Sequence, residues 1–377
     1  MSITFNGVSS DSLNVHVQFR PNQVHAARSV ETQQVIGRNG LYLIDHGAYE
    51  NVTQSYDCFY EVTLTDVETT MALYAAEQGI SLTAARARFT FDEQLQMTLQ
   101  NGGAKVANWL LNQKGYQRLE DSYEPDTFRL ARYIGPMDIE NLMLRAGRFG
   151  LEFDCKPQKF LKKDETGIYR IANMGTQSGI IPLVTTIDGT DVPLTVSVRT
   201  SGNVSTTFTV NYYDSNLTLL STRTVTGSSF KPANYAPSGA RHFRVSNSSS
   251  YTMYVTIDGN ESMIGDTVTT FANPTNQISK PLIRVWIRNT SIATTVQIND
   301  YQVVVDANYY QQTGKTVIGI DCETMNCYYG GLNMNKYVTV LKNSSMASEY
   351  PCLNPGSNYI YCANRERIEI YPRWWRI

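Results

Sequence analysis

An excess of charge of either sign is missing from this chain. Its 377 residues carry 32 Lys and Arg against 34 Asp and Glu, a net charge of −2 with a pI near 6.1. That balance provides no polyanion-seeking surface, so sequence-specific nucleic acid is not an expected partner. Long apolar runs are missing too. Stretches such as "GIIPLV" are far too short to cross a bilayer, and no membrane insertion is expected. The opening "MSITFNGVSSDSLNV" has no basic segment followed by an apolar run, which reads as a soluble product made in a cytoplasm. The Asn-x-Ser/Thr triplets beginning at Asn203, Asn216 and Asn247 are then not glycosylation signals.

Catalytic signatures are scarce. The four histidines, His16, His25, His46 and His242, form no ligand-spaced pair. "QQTGKTVIG" contains Gly-Lys-Thr but lacks the first glycine of a phosphate-binding loop, and reads as a hairpin turn. "GTQSG" does not satisfy G-x-S-x-G, and no G-x-G-x-x-G follows a strand. A glycosidase needs only two carboxylates, which Asp188, Asp191, Asp214 or Asp258 can supply. Asp beside Gly, as at Asp188-Gly189 and Asp258-Gly259, is more often turn chemistry. The expectation is a protein that is not an enzyme and holds no cofactor.

Six cysteines remain. A strand turns every second residue to one side. Cys58 shares a row with Tyr56, Tyr60, Val62 and Leu64, Cys155 with Leu151 and Phe153, and Cys322 with Ile318 and Ile320. These thiols read as small buried hydrophobes. Cys322, Cys327, Cys352 and Cys362 have C-x4-C and C-x9-C spacings that fit no compact zinc site. Disulfides are uncommon in a cytoplasmic product.

The length calls for two or three domains. In "LNVHVQF", Leu13, Val15, Val17 and Phe19 share a face and His16 turns to solvent. A strand covers Tyr56 to Leu64. "TDVETTMALYAAEQG" then reads as a helix, with Thr65 or Asp66 as cap, Glu68 as the capping acid and Gly79 as the stop. "KVANWLLNQKG" is a shorter helical piece ending at Gly115. Strands follow near Phe128–Tyr133 and Leu151–Cys155, with Pro157 ending or edging the latter.

After "KFLKKDETG" the composition changes. Only eight charged residues lie between Ala172 and Ile257, where Ser, Thr and Asn crowd short strands. Val192, Leu194, Val196 and Val198 form one row, and Phe208, Val210 and Tyr212 another. Asp214 to Asn216 turns into a return strand, and Met253, Val255 and Ile257 face together. Evenly spaced short strands with polar turns predict a β-sandwich. From "FANPTNQISKPLIRVWIRN" a third all-β region begins, with turns at Asn299-Asp300 and Pro355-Gly356. Pro372 calls for an edge or a bulge in the last strand.

Several strings, in order, resemble one family. "VIGRNGLYLIDHGAYENVT" is similar to the Val-x-Gly-Arg-x-Gly segment of the distal tail proteins of long-tailed phages. "WLLNQKGYQRLEDSYEPDTFRLARYIGPMDIEN", "RFGLEFDCKPQKFLK", "NPTNQISKPLIRV", "IDCETMNCYYGGLNMN", "LNPGSNYI" and "IEIYPRWW" follow. The resemblance covers residues 1 to about 167 and about 265 to 377. It implies a mainly β chain, with an N-terminal ring-forming β domain carrying a helix (1–167) and a C-terminal galectin-like β-sandwich (265–377). It implies a homo-hexamer at the virion tail tip, assembled in the bacterial host cytoplasm. The ring would be a hub between the tail tube protein and the tail-tip, baseplate or receptor-binding proteins, with a heterologous interface that closes.

Residues 168–264 depart from the shorter members. The insertion resembles the carbohydrate-binding modules spliced into enlarged distal tail proteins, which makes host cell-surface polysaccharide a further expected partner. Such a module is expected to fold alone and to expose aromatic rings and hydrogen-bonding side chains. Tyr213 and Tyr254 fall out of phase with their apolar neighbours, and Tyr235 lies in a loop followed by Arg241 and His242. Tyr213, Tyr235, Arg241 and Tyr254 are the candidate glycan contacts. The alternatives are a bacterial surface adhesin and a tail-associated glycan hydrolase.

Overall fold

The computed structural model describes residues 1–377 apart from 20, 38, 137–139, 144, 145, 163, 164, 166, 175, 176, 188, 189, 250, 266 and 267. Asp188 and Gly189 thus lie outside the described residues. The chain is mainly β and divides into two compact units, Met1–Lys162 with Trp375–Ile377, and Lys163–Trp374.

The first unit is an antiparallel sheet with helices packed on one face. Its strands run in the order Val8–Ser9, Ile3–Phe5, Gln117–Asp121, Thr127–Tyr133, Ala146–Leu161, Val52–Glu61, Val15–Val17. Alternation builds the inner face. Tyr56, Cys58 and Tyr60 turn in beside Phe149, Leu151 and Phe153, against Val67, Met71, Leu99 and Trp109 of the helices. The Leu64–Gln78 helix is capped by Thr63, with Asp66 completing the capping box, so the start lies upstream of the sequence reading. Leu64 is its first residue and is exposed rather than in the strand row. Gly79 ends it at φ 64°. Phe19 lies beyond the strand that stops at Val17, and is also exposed.

Two helical segments exceed the expectation. Leu82–Ala87 is helical, and the next helix runs Phe91–Leu111 from a Thr90–Glu93 capping box, stopping short of Gly115. Gly102 sits inside it, where glycine costs about 1 kcal/mol of helix propensity. Packing demands it there. A Cβ would fall 2.2 Å from Cζ and Oη of the buried Tyr60.

Pro157 does not end its strand. Ala146–Leu161 continues through it, and its register against Thr127–Tyr133 shifts between Cys155 and Lys159. The proline occupies that bulge, where no ladder N–H is needed. Cys155 is fully buried, and burial pushes its thiol up to about 12. It is inert packing.

In the second unit, strands of two four-stranded sheets enclose one core. One sheet runs Ile181–Pro182, His242–Asn247, Thr206–Tyr213, Leu219–Gly227, and the other Ser229–Phe230, Val196–Thr200, Met253–Ile257, Asn260–Met263. Phe208, Val210 and Tyr212 face Val198, Val255 and Ile257 in a β-sandwich. Val192 leaves the predicted row because it belongs to a separate hairpin, Val184–Ile187 with Thr190–Pro193, and is exposed.

Two six-stranded sheets follow. Asn299, at φ 51°, turns Thr294–Ile298 into Tyr301–Val305 as predicted. Gly314 is not a hairpin turn but the left-handed stop of a short helix, Asn308–Thr313. Pro372 follows the end of the Arg365–Tyr371 strand, so it needs neither bulge nor edge. The Ile168–Ile171 strand, counted above with the inserted module, pairs with Arg365–Tyr371 in this region. The chain leaves at Ile171 and returns at Gly265, whose N–H donates to the Ile171 carbonyl (2.9 Å). The two ends of the insertion therefore meet, so it can be spliced in without stretching the parent sheet.

Candidate functional site

The most exposed apolar feature is a hairpin of the first unit, Arg28–Gln34 paired with Leu41–Tyr49. It forms its own two-stranded sheet, and nearly every residue in it is exposed. Ile36 at the tip is 101% exposed, Leu41 65% and Leu43 58%, with Val30, Val35 and Tyr42 also open. The two glycines of the Val-x-Gly-Arg-x-Gly string hold φ 83° (Gly37) and 86° (Gly40), so the tip needs residues without a Cβ. The base is better fixed: Arg28 Nε donates to Asp45 Oδ2 (2.6 Å), and Tyr49 meets the Trp375 ring edge-on at 6.1 Å. The Gly47 N–H, then Arg28, hold the Asp45 carboxyl below its usual range. A two-stranded hairpin is marginal in water. Exposed leucine, isoleucine and valine on such a hairpin are the kind of surface that an interaction covers.

The four sequence-derived glycan contacts do not form one site. Tyr213 lies on the outer face of the Thr206–Tyr213 strand, with the Arg244 guanidinium 6.0 Å from its ring. Arg241 is next to it: its N–H donates to the Tyr213 carbonyl (2.8 Å), and its guanidinium pairs with Asp191. Tyr254 belongs to the opposite sheet, under the Arg199 guanidinium at 4.4 Å, which is itself held by Glu261. Tyr235, itself exposed, ends a separate turn, Pro232–Tyr235, that starts on the buried Pro232. The structure brings Tyr213 and Arg241 together and leaves the other two apart.

Sequence reasoning missed the rest of the Tyr213 face. Tyr213 pairs with Leu219 on one side and His242 on the other, and Asn211 pairs with Thr222 and Arg244. The alternation in "HFRVSN" already turned His242 and Arg244 outward. Arg244 Nη2 donates to both Glu366 oxygens (2.8 and 3.1 Å), closing that side against the C-terminal region. His242 is half-buried there, and its Nδ1 is buried without a hydrogen-bond partner. Burial, then the Arg367 and Arg241 cations, pushes its imidazole down to about 3, so it is neutral near pH 7.

The carboxylates weighed for hydrolysis are engaged elsewhere. Asp214 Oδ1 accepts the N–H groups of Asn216 and Thr218, Asp258 Oδ1 accepts that of Thr195, and Asp191 pairs with Arg241. Each closes a turn or an ion pair. Among the described residues, no group of three or more His, Cys, Asp or Glu is arranged to hold a metal, and no helix is long and apolar enough to cross a membrane.

No family model and no curated protein matches the chain. Among solved structures it is similar to the SPP1 Dit (gp 19.1) protein, described as a paradigm of the hub adsorption apparatus in phages infecting Gram-positive bacteria. That likeness has 10% identity and a TM-score of 0.46, over 98% of this chain and 97% of that one. It is also similar to the phage p2 baseplate in its activated conformation with Sr (9% identity, TM-score 0.36, 98% and 95% covered) and with Ca (10%, 0.33, 95% and 90%). These likenesses are distant.

Proposed function

We propose that this chain is a phage distal tail structural protein, a homo-hexameric hub between the tail tube and the tail tip or baseplate. The reading rests on the ordered sequence strings, and the exposed Arg28–Tyr49 hairpin is the observation that carries it. An apolar, self-standing hairpin is a subunit-to-subunit element, and a ring covers every copy of it by repeating one heterologous contact. Assembly is the work; no turnover is proposed. The C-terminal region is the galectin-like sandwich of this reading, and the inserted sandwich, residues 172–264, adheres to host cell-surface polysaccharide. Six copies on one ring convert weak single-site binding into firm attachment.

Light scattering and negative-stain electron microscopy of the full chain test the hub. The expected particle is a six-fold ring, and Ile36→Asp with Leu41→Asp should release monomers whose thermal unfolding is unchanged. Wild-type protein that stays monomeric at high concentration, and with tube protein added, overturns the reading. Adhesion has its own readout, binding of the full chain to intact host cells.

A further inference from the structure

The inserted sandwich has one face on which side-chain chemistry is ordered in rows. Across the outer side of the Thr206–Tyr213 and Leu219–Gly227 strands, cross-strand partners run Tyr213 with Leu219, Asn211 with Thr222, and Thr209 with Thr224. An aromatic–aliphatic row thus gives way to rows of hydroxyl and amide groups. From Thr209 to Tyr213 the strip spans about 14 Å along the strand. The Thr222 hydroxyl donates to Asn211 Oδ1 (2.8 Å), fixing that amide before any ligand arrives. One flank is walled by Arg244, whose charge Glu366 neutralises, and Arg241 beside Tyr213 is paired with Asp191. Arg223 pairs with Val210 and so lies on the other side of the sheet.

The turn at the aromatic end is held in an unusual shape. Leu217 has φ 62°, a conformation bulky side chains rarely adopt, and Asp214 stabilises it by accepting two N–H groups. Strain in a non-glycine residue that the surroundings fix in place points to a functional constraint. Leu217 and Leu219 are both exposed there, and Leu219 is the cross-strand partner of Tyr213.

We propose that this strip is the binding track for a neutral polysaccharide. A pyranose ring has an apolar C–H face and a rim of hydroxyls. Tyr213 and Leu219 match the first, and Asn211, Thr222, Thr209 and Thr224 match the second. None of these six side chains is charged, which favours an uncharged polymer, since an anionic one gains no ion pair from them and loses hydration. The inference rests on the adhesion reading above and locates it.

The test is a printed array of neutral and acidic polysaccharides probed with the full chain and its variants. Wild type should bind neutral polymers. Tyr213→Ala and Thr224→Arg should each weaken binding by about tenfold or more, and Ser197→Ala on the opposite sheet should not. Thr224 is exposed, so its variant folds whatever Tyr213→Ala does. Loss at Tyr254→Ala with both strip variants unaffected overturns the location and leaves adhesion standing. Binding to acidic polymers alone overturns the ligand class. Binding to none overturns the adhesion reading itself.

Discussion

The Arg244–Glu366 pair provides the sharpest test of how the insertion is held. The two side chains are only 15% and 16% exposed, and one guanidinium nitrogen reaches both carboxylate oxygens. A charge-assisted hydrogen bond contributes roughly 1.5–3 kcal/mol net, and residual solvent at this exposure screens part of it. We expect a coupling energy of about 2 kcal/mol in a double-mutant cycle of Arg244→Ala and Glu366→Ala. Each single variant leaves a half-buried charge unpaired, so each alone should lose about that much. The double variant should fall little further. For a unit of about 210 residues, 2 kcal/mol corresponds to roughly 4–8 °C in the unfolding midpoint. Calorimetry of the full chain reads it. A coupling energy below about 0.5 kcal/mol would mean that the pair is not formed in solution.

Gly102→Ala should lose about 1–3 kcal/mol by overpacking against Tyr60, less about 1 kcal/mol of gained helix propensity; a net rise in the melting temperature of the first unit refutes the close packing. His242 binds its proton near pH 3 in the fold and near 6.5 when unfolded, so the unfolded chain holds more protons between those values. Stability should therefore fall as pH drops through that window, by at most about 1.4 kcal/mol per pH unit. Glu120, Asp154 and Asp321, whose carboxyls are held low, add their losses progressively below about pH 5. His242→Gln should flatten the slope between pH 6 and 4, and urea midpoints across that range decide it.

Wherever a strand has a core on one side, the sequence was readable. The rows through Cys58, Cys155 and Cys322 point inward because alternation and burial are the same signal there. The hairpin failed that test for a physical reason. Leu41, Tyr42, Leu43 and Ile44 are consecutive, and none faces a core in this chain, so no period appears. The long helix hid behind Gly102 and Gly103, whose propensity argues against the helix that tertiary packing imposes. Phase also placed Tyr213 and Tyr254 correctly as turned away from the core. It could not say that their strands belong to opposite sheets, because alternation gives the face of a strand and not the identity of its neighbours.

The expectation that residues 168–264 fold alone conflicts with how their core is closed. Tyr169 and Ile171 belong to the same buried cluster as Phe208 and Val255, yet their strand is paired to Arg365–Tyr371. Gly179 lies so close to that strand that a Cβ would fall 2.2 Å from the Glu366 carbonyl oxygen, and Arg367 Nη1 donates to the Ile180 carbonyl (3.3 Å). Excision would leave one strand without its ladder partner, and His242 and Arg244 without the wall that now covers them. A fragment of this kind starts with unsatisfied backbone and a fresh apolar edge, so its failure to bind sugar would report misfolding. The same contacts fix the insertion against its own unit in a way a flexible linker would not. A module clamped at its entry, at its exit and through Arg244 holds a set direction on the sheets of its own unit. If six such modules act together as proposed, their avidity would depend on the spacing of the target and would be lost where that spacing is wrong.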